Sequence, residues 1–485
     1  MNTYLTLLII LPVFAAFLMY FFRKADNWVN IAIMSFVTLF GTVASLVMLF
    51  SRGAVVVALG GWKPPYGIVL VGDRLSLIFV ALIYLIAYLI AQFGGIERTK
   101  ANDHKSGALF MLLTAAAAGM ILTGDLFNFF VFMELAAISS YVLIAKGGCR
   151  SSYTGALKYI FTGGLASMLM LLGIGILYNT TGTLNIAHLM VRIGLVGDSL
   201  RWLALGLVLC GILLKMEVFP FNLWVPESYK GAPAGMKIVL GSILSTVGGY
   251  ALIRLYPILI QNPGLIKMLL PLALLSLILA ELAAYREKHI NRLLGYSSAG
   301  QMALVMLAIL FGGRIGIYAA IFIVIAHAMA KAVLFFVGAH FKESTGSSMW
   351  ESYRGLSKIS PVGAALFTVA ALSLTGIPGM MGFWGKLSMI GAGLASAKYF
   401  SIAIILIITI VEGVYFLRIS GTLYQSTESD VKAKASYLLI PAVILVLIIV
   451  LVGFWPGCIS KIINGGVSAA ERSSEYAKLV LDYLL

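Results

Sequence analysis

Apolar residues fall in runs of 18 or more along the whole chain, and polar residues collect in the short gaps between them. A run of that length crosses a hydrocarbon core as a helix. Only helices and closed barrels satisfy their backbone in hydrocarbon, and these runs are far too long for barrel strands. Windows of about 20 residues place spans near 2–22, 29–50, 75–96, 107–123, 125–145, 155–178, 201–222, 232–256, 265–284, 293–312, 314–340, 361–392, 399–423 and 436–457. The pattern predicts an all-α polytopic membrane protein of about fourteen transmembrane helices. The first run is followed by Arg23 and Lys24 and by no small-residue cleavage site, so it reads as a retained helix rather than a signal peptide.

Composition agrees. Of 485 residues 61% are apolar and 11% charged, and the mean hydropathy of +1.01 lies outside the range of soluble domains. The net charge of +15 makes no stripe or run of the kind that binds nucleic acid. It reads as topology. Arg23, Lys24, Arg98, Lys100, Lys105, Lys146, Arg150, Arg286, Lys288, Arg292, Lys342, Arg354, Lys358, Lys432 and Lys434 share one loop parity. The other parity carries mainly Arg52, Lys63, Arg74, Arg192, Arg314 and Lys398, with Lys461, Arg472 and Lys478 in the tail, so the positive-inside rule places both termini outside. No loop is long enough to bury a core of its own. Cys149, Cys210 and Cys458 lack metal-ligand spacing, and no haem, flavin, quinone or cluster motif is visible, so no cofactor or metal is expected.

Ionisable residues inside the spans change the picture, because each costs at least about 2.5 kcal/mol and needs a partner, a wet cavity or a function. Glu134 lies deep in the fifth span and Lys215 late in the seventh. His327 and Lys331, four apart in the eleventh, share one helix face, and Lys386 lies in the twelfth. A buried lysine beside a carboxylate is a switchable proton site. The bland readings are a fixed Glu134–Lys215 ion pair and a His327 that merely packs. Glu281 and Glu412 also fall within spans but have no obvious partner, and they are assigned no role.

Two spans look broken. The seventh carries Pro220, Trp224, Pro226 and Pro233, and the twelfth carries Gly376-Ile377-Pro378-Gly379 ahead of Gly382 and Gly385. Backbone groups freed in this way are tolerated only where protein or water receives them. Each break sits beside a lysine, which points to inverted repeats around an ion path. The chain then divides into 1–106 (three N-terminal spans), 107–256 (spans four to eight, first repeat), 265–423 (spans nine to thirteen, second repeat) and 424–485 (last span and tail). Proline kinks in an ordinary bundle are the alternative.

A series of motifs follows in order along the chain: Gly124-Asp125-Leu126-Phe127-Asn128 through Glu134 and Tyr141, Ala156-Leu157-Lys158-Tyr159, and Thr181-Gly182-Thr183-Leu184-Asn185. Phe219-Pro220-Phe221-Asn222-Leu223-Trp224-Val225-Pro226-Glu227 with Ala232-Pro233, Arg292-Leu293-Leu294-Gly295-Tyr296-Ser297-Ser298 through Gln301, and Gly376-Ile377-Pro378 through Lys386 complete it. In these motifs, from about residue 70 to 425, the chain resembles the antiporter-like family shared by the D-type subunit of Mrp Na⁺/H⁺ antiporters, the large membrane subunits of respiratory complex I, and membrane-bound hydrogenases.

The resemblance implies that Glu134 gates the charge of Lys215, that His327 and Lys331 form a central relay, and that Lys386 hands the ion to the far side. It implies neighbouring membrane subunits as partners, a prokaryotic cytoplasmic membrane as location, and H⁺, or H⁺ against Na⁺, as cargo. One departure stands out: Thr246 occupies the place where many relatives carry a lysine. Either water bridges Lys215 to Lys331 past Ser242 and Ser245, or the relay is interrupted and the subunit is structural. Lys237, near the helix start, is expected to snorkel to the interface. The tail 459–485, with Glu471, Glu475, Lys478, Val480, Leu481 and Leu485, predicts a short amphipathic helix. A stand-alone solute transporter is the competing class, against which the polar residues spread in a line rather than around a substrate-sized cavity.

Overall fold

A computed structural model describes residues 2–22, 27–51, 53–93, 104–426, 437–471 and 473–481. Arg23, Lys24, Arg52, Arg98, Lys100, Lys432, Lys434, Arg472 and Leu485, which bear on the topology and the tail, lie outside the described residues. The N-terminal part comprises α1 (Asn2–Phe21), α2 (Asn27–Phe50), a hairpin of β1 (Val55–Ala58) and β2 (Val69–Gly72), and α3 (Arg74–Phe93). Next come α4 (His104–Leu122), α5 (Leu126–Ala145), α6 (Arg150–Thr181), α7 (Ile186–Arg192), α8 (Asp198–Lys215), α9 (Val225–Gly231), α10 (Ala234–Ile238) and α11 (Ser245–Arg254). They are followed by α12 (Tyr256–Leu259), α13 (Pro263–Arg286), α14 (Ile290–Phe311), α15 (Gly313–Thr345), α16 (Leu356–Ile359), α17 (Pro361–Thr375), α18 (Met381–Ala395) and α19 (Tyr399–Leu423). The chain closes with α20 (Leu439–Phe454), α21 (Gly457–Glu471) and α22 (Ser473–Leu481).

Among the described residues eleven helices are long and apolar enough to cross a membrane, or twelve if α20 and α21, bent by 87°, form one crossing. Two of the fourteen expected spans fall short of that standard for visible reasons. The seventh is α8, whose 18 residues include Asp198, Arg201 and Lys215, and the twelfth is cut into α17 and α18 of 15 residues each. Burial sorts the helices into an inner and an outer set. The most apolar windows of α15 and of the α10–α11 helix are wholly buried, whereas those of α1, α6 and α19 are less than half buried and turn exposed apolar side chains such as Phe17, Phe161 and Phe400 outward.

The two breaks are built alike. At the end of α8 the Val218 N–H donates to the Leu213 carbonyl (3.0 Å) and the Glu217 N–H to the Leu214 carbonyl (3.2 Å). At the end of α17 the Ile377 N–H donates to Leu372 (3.1 Å) and the Gly376 N–H to Ser373 (3.2 Å). This paired pattern satisfies the last carbonyls of a helix and requires a left-handed residue at its turn. Gly376 supplies it with φ 82°, and Glu217 supplies it with φ 59°. A third irregularity has no proline to announce it: α10 and α11 are joined through a π-helical turn over Val239–Leu244.

The tail is two helices rather than one. α21 lies against α3 and α15, and α22 against α7. Tyr318 and Ser460 hydroxyls meet at 2.8 Å, and Arg314 faces Glu471 at 3.5 Å. Under this strap lies a buried ion pair. The Arg254 guanidinium at the end of α11 donates two hydrogen bonds to Asp73, both 2.7 Å, and a third to the Tyr250 hydroxyl at 3.0 Å. The Tyr476 ring of α22 covers Arg254 with 4.7 Å from Cζ to the centroid.

Removing one partner of such a pair leaves a charge buried alone. Arg254→Met is therefore expected to cost about 3–5 kcal/mol, read as a lower thermal unfolding midpoint in detergent. Asp73→Leu combined with Arg254→Met restores much of the loss. A midpoint unchanged by the single substitution contradicts this assignment.

Candidate functional site

Lys215 is the last residue of α8, so its ammonium faces the negative end of the helix dipole. The side chain is 2% exposed. Its Nζ donates to the Tyr159 hydroxyl of α6 at 3.0 Å and lies 5.4 Å from that ring's centroid. Tyr159 is held in turn by stacking on Trp224 from the break, with centroids 3.9 Å apart, and by an edge contact with Tyr141 at 4.9 Å. Glu134 makes no ion pair with Lys215, so the fixed-pair reading is not what the structure contains. Glu134 is half-buried on an α5 face whose other members, Phe127, Val131, Ile138 and Val142, are exposed.

Two residues beyond Lys215, Glu217 is 1% exposed and accepts from the Tyr229 hydroxyl at 2.6 Å through Oε1, while Oε2 has no hydrogen-bond partner among the described residues. The sequence carries no local signal that singles it out.

The second cluster gathers on one face of α14. Leu294, Ser297, Ser298 and Gln301 follow the i, i+3, i+4, i+7 spacing of a helical stripe. From α15, the buried Lys331 ammonium donates to the Leu294 carbonyl (2.9 Å) and the Ser297 hydroxyl (2.8 Å). His327, one turn earlier, meets the Ser298 hydroxyl at 3.3 Å through Nε2. The Gln301 amide donates to Glu412 at 2.5 Å, and the other oxygen of Glu412 accepts from Lys386 Nζ at 2.6 Å.

Glu412 thus has a partner after all, and that partner is one of the intramembrane lysines. Glu281 has one too. It accepts from the Tyr415 hydroxyl at 2.9 Å, one turn from Glu412 on α19, and its second oxygen has no partner among the described residues. Its carboxyl packs where a side chain on Gly300 would otherwise lie. The available signals were weak: Ser297, Ser298 and Gln301 as a polar stripe in an apolar span, and the Glu412/Tyr415 spacing.

Between the two clusters lies the π-helical turn. The Thr246 hydroxyl donates to the Ser242 carbonyl (2.5 Å) and Ser245 to the Gly241 carbonyl (2.9 Å), so both are satisfied by their own helix. The buried Ser242 hydroxyl has no partner among the described residues. Lys237 does not snorkel: it is 7% exposed, because α10 is packed against α15 rather than opening to an interface. Of the three predicted break prolines, Pro226 lies in the first turn of α9, while Pro220 and Pro378 lie in the non-helical connections.

Outside the spans, burial and then the positive charges of Lys237, Lys230, Arg292 and Lys342 push His289 down to about 4. The described residues contain no group of three or more His, Cys, Asp and Glu arranged to hold a metal ion.

Comparison with known proteins places these features in a family. The family described as "NADH:quinone oxidoreductase/Mrp antiporter, TM" matches residues 123–411. The N-type subunit of the NADH-quinone oxidoreductase of Desulforudis audaxviator is 32% identical over 77% of this chain and 76% of its own. The D-type subunit of the Na⁺/H⁺ antiporter of Bacillus subtilis is 29% identical over 99% of this chain and 100% of its own. A chain of the membrane-bound sulfane sulfur reductase, an archaeal respiratory membrane complex, superposes with a TM-score of 0.94 at 30% identity, covering 99% of this chain and 100% of that one.

Among the described residues Tyr159 is the single hydrogen-bond acceptor of Lys215. Tyr159→Phe keeps the stack on Trp224 but leaves the ammonium without that acceptor, at an expected cost of about 1–3 kcal/mol. A fall in the unfolding midpoint of the purified protein checks this; an unchanged midpoint means that Lys215 is satisfied in some other way.

Proposed function

The chain belongs to the NADH:quinone oxidoreductase/Mrp antiporter family of multi-pass membrane subunits, and from that premise we propose that it moves protons, or protons against Na⁺, within a larger ion-pumping assembly. The observation that carries the proposal is the series of buried titratable side chains from Lys215 to Lys386, with Lys215 on the Tyr159 hydroxyl of α6, His327 and Lys331 on the serine hydroxyls of α14, and Lys386 on the Glu412 carboxylate of α19. So many ionisable groups at membrane depth are costly unless they serve transport.

In this reading Lys215 takes up or releases a proton under the influence of Glu134, His327 and Lys331 pass it along the centre, and Lys386 exchanges it with the far side. The Lys386–Glu412 pair is the natural gate: transfer requires it to open. The shared hydrogen-bond pattern of the two breaks supports fourteen spans with two inverted repeats, over 107–256 and 265–423. Glu134 supports the partner assignment. A carboxylate on an uncovered helix face is poorly placed against lipid and well placed against a neighbouring membrane subunit.

The relatives bear names of a quinone oxidoreductase, a Na⁺/H⁺ antiporter and a respiratory sulfur reductase complex. The driving force accordingly comes from partners, by electron transfer or by an ion gradient. The location is a prokaryotic cytoplasmic membrane with both termini outside. The second reading, a structural subunit with an interrupted relay, rests on Thr246, whose hydroxyl is occupied by its own helix.

Ion flux in vesicles containing the assembled complex decides between them. Lys215→Met, Lys331→Met and Lys386→Met are each expected to lower transport by at least about tenfold with assembly intact, and arginine at these positions to fail as a replacement because it does not deprotonate. Transport that survives all three methionine substitutions overturns the relay.

A further inference from the structure

Thr246 leaves the relay without a titratable group on the eighth span, and Glu217 stands where one is needed. The two helix breaks use the same pair of capping hydrogen bonds, but one turns through Gly376 and the other through Glu217. A side chain in the left-handed region carries a steric cost that glycine does not incur. Strain of this kind persists where the surrounding structure holds it, and it gathers at functional sites.

The surroundings here hold it tightly. Gly248 lets α11 approach the backbone of Lys215 and Met216, where a Cβ would stand 2.8–2.9 Å from their atoms. Gly295 leaves room for the Tyr229 ring, at 2.9–3.0 Å from a Cβ there. Tyr229, stacked on Phe335 of α15 (5.4 Å between centroids), then points its hydroxyl at Glu217 Oε1. The second oxygen, Oε2, is buried and has no partner among the described residues. The carboxyl also stands between the two clusters: it lies two residues past Lys215, and its partner Tyr229 packs on Gly295, one turn from Ser298 on α14, and on Phe335, one turn from Lys331 on α15.

We propose that Glu217 is the proton carrier between Lys215 and the His327–Lys331 pair, filling the gap left by Thr246. The inference rests on the relay reading above. Lys215 ammonium gives its proton through intervening water to the Glu217 carboxylate at Oε2, leaving a neutral amine and a carboxylic acid. The acid then releases the proton through the Ser298 hydroxyl to neutral His327 or to the Lys331 amine, which restores the carboxylate; the reverse sequence carries protons the other way. Tyr229 stays on Oε1 throughout and fixes the carboxyl.

The test measures potential-driven proton uptake by liposomes containing the whole assembly. Glu217→Gln keeps an acceptor for Tyr229 and cannot carry a proton. Glu217→Gly relieves the backbone strain and removes the carboxyl. Both are expected to assemble and to lose about 10²-fold in proton transfer, the lower range for a positioned acid–base group. Glu217→Asp is expected to retain part of the activity, and Thr246→Lys to restore transport in the Glu217→Gln background. Wild-type transport in Glu217→Gln, while Lys331→Met abolishes it, overturns the role of Glu217 and leaves the relay standing. Transport in Lys331→Met as well overturns the relay itself. Loss of transport that neither Asp nor Thr246→Lys repairs makes Glu217 structural and also overturns the proposal.

Discussion

An ionisable or unpaired polar group in hydrocarbon must be received by protein, and the interior of this molecule is arranged around that constraint. Lys215, Lys331 and Lys386 would each be prohibitive in lipid. Each is met instead by a designated acceptor: the Tyr159 hydroxyl, the Leu294 carbonyl with the Ser297 hydroxyl, and the Glu412 carboxylate. The acceptors come from helices distant in sequence, so the bundle's packing and its polar line are one property. The long unbroken α15 brings His327 and Lys331 to the polar stripe of α14, and α19 brings Glu412 and Tyr415 to the same region.

The same constraint shapes the backbone. A helix that ends inside the bundle exposes carbonyls that nothing solvates, and both breaks close them with one capping pattern before the chain continues. The break after α8 puts Lys215 at a helix terminus with Glu217 immediately beyond, while the break after α17 precedes Lys386 and leaves Gly376 against its stem, 2.9 Å from where a Cβ would stand. The breaks therefore position charge as well as turning the chain.

Much of this was legible in the residues. Lysines and a histidine in apolar runs announce themselves by cost alone, and Pro220, Pro226 and Pro378 mark the interruptions because proline is not tolerated inside a helix, while Gly376 marks one by its freedom to take a left-handed turn. Partnership was not legible. Lys386 and Glu412 are 26 residues apart and Glu281 and Tyr415 are 134 apart, so only the packing reveals that they meet. Glu217 was hidden for a different reason: glutamate has no preference for left-handed backbone, so nothing local predicts that it ends α8. The π-helical turn, the burial of Lys237 and the bend between α20 and α21 likewise arise from contacts between helices rather than from local propensity.

The central claim is that the polar line is continuous from Lys215 to Lys386, and the most direct measurement is a map of the native assembly at a resolution that reveals ordered water. The account predicts water bonded to Glu217 Oε2, the Ser242 hydroxyl and the second oxygen of Glu281, joining Lys215 to Lys331 and Lys331 to Lys386. A dry, apolar gap in either interval would contradict it.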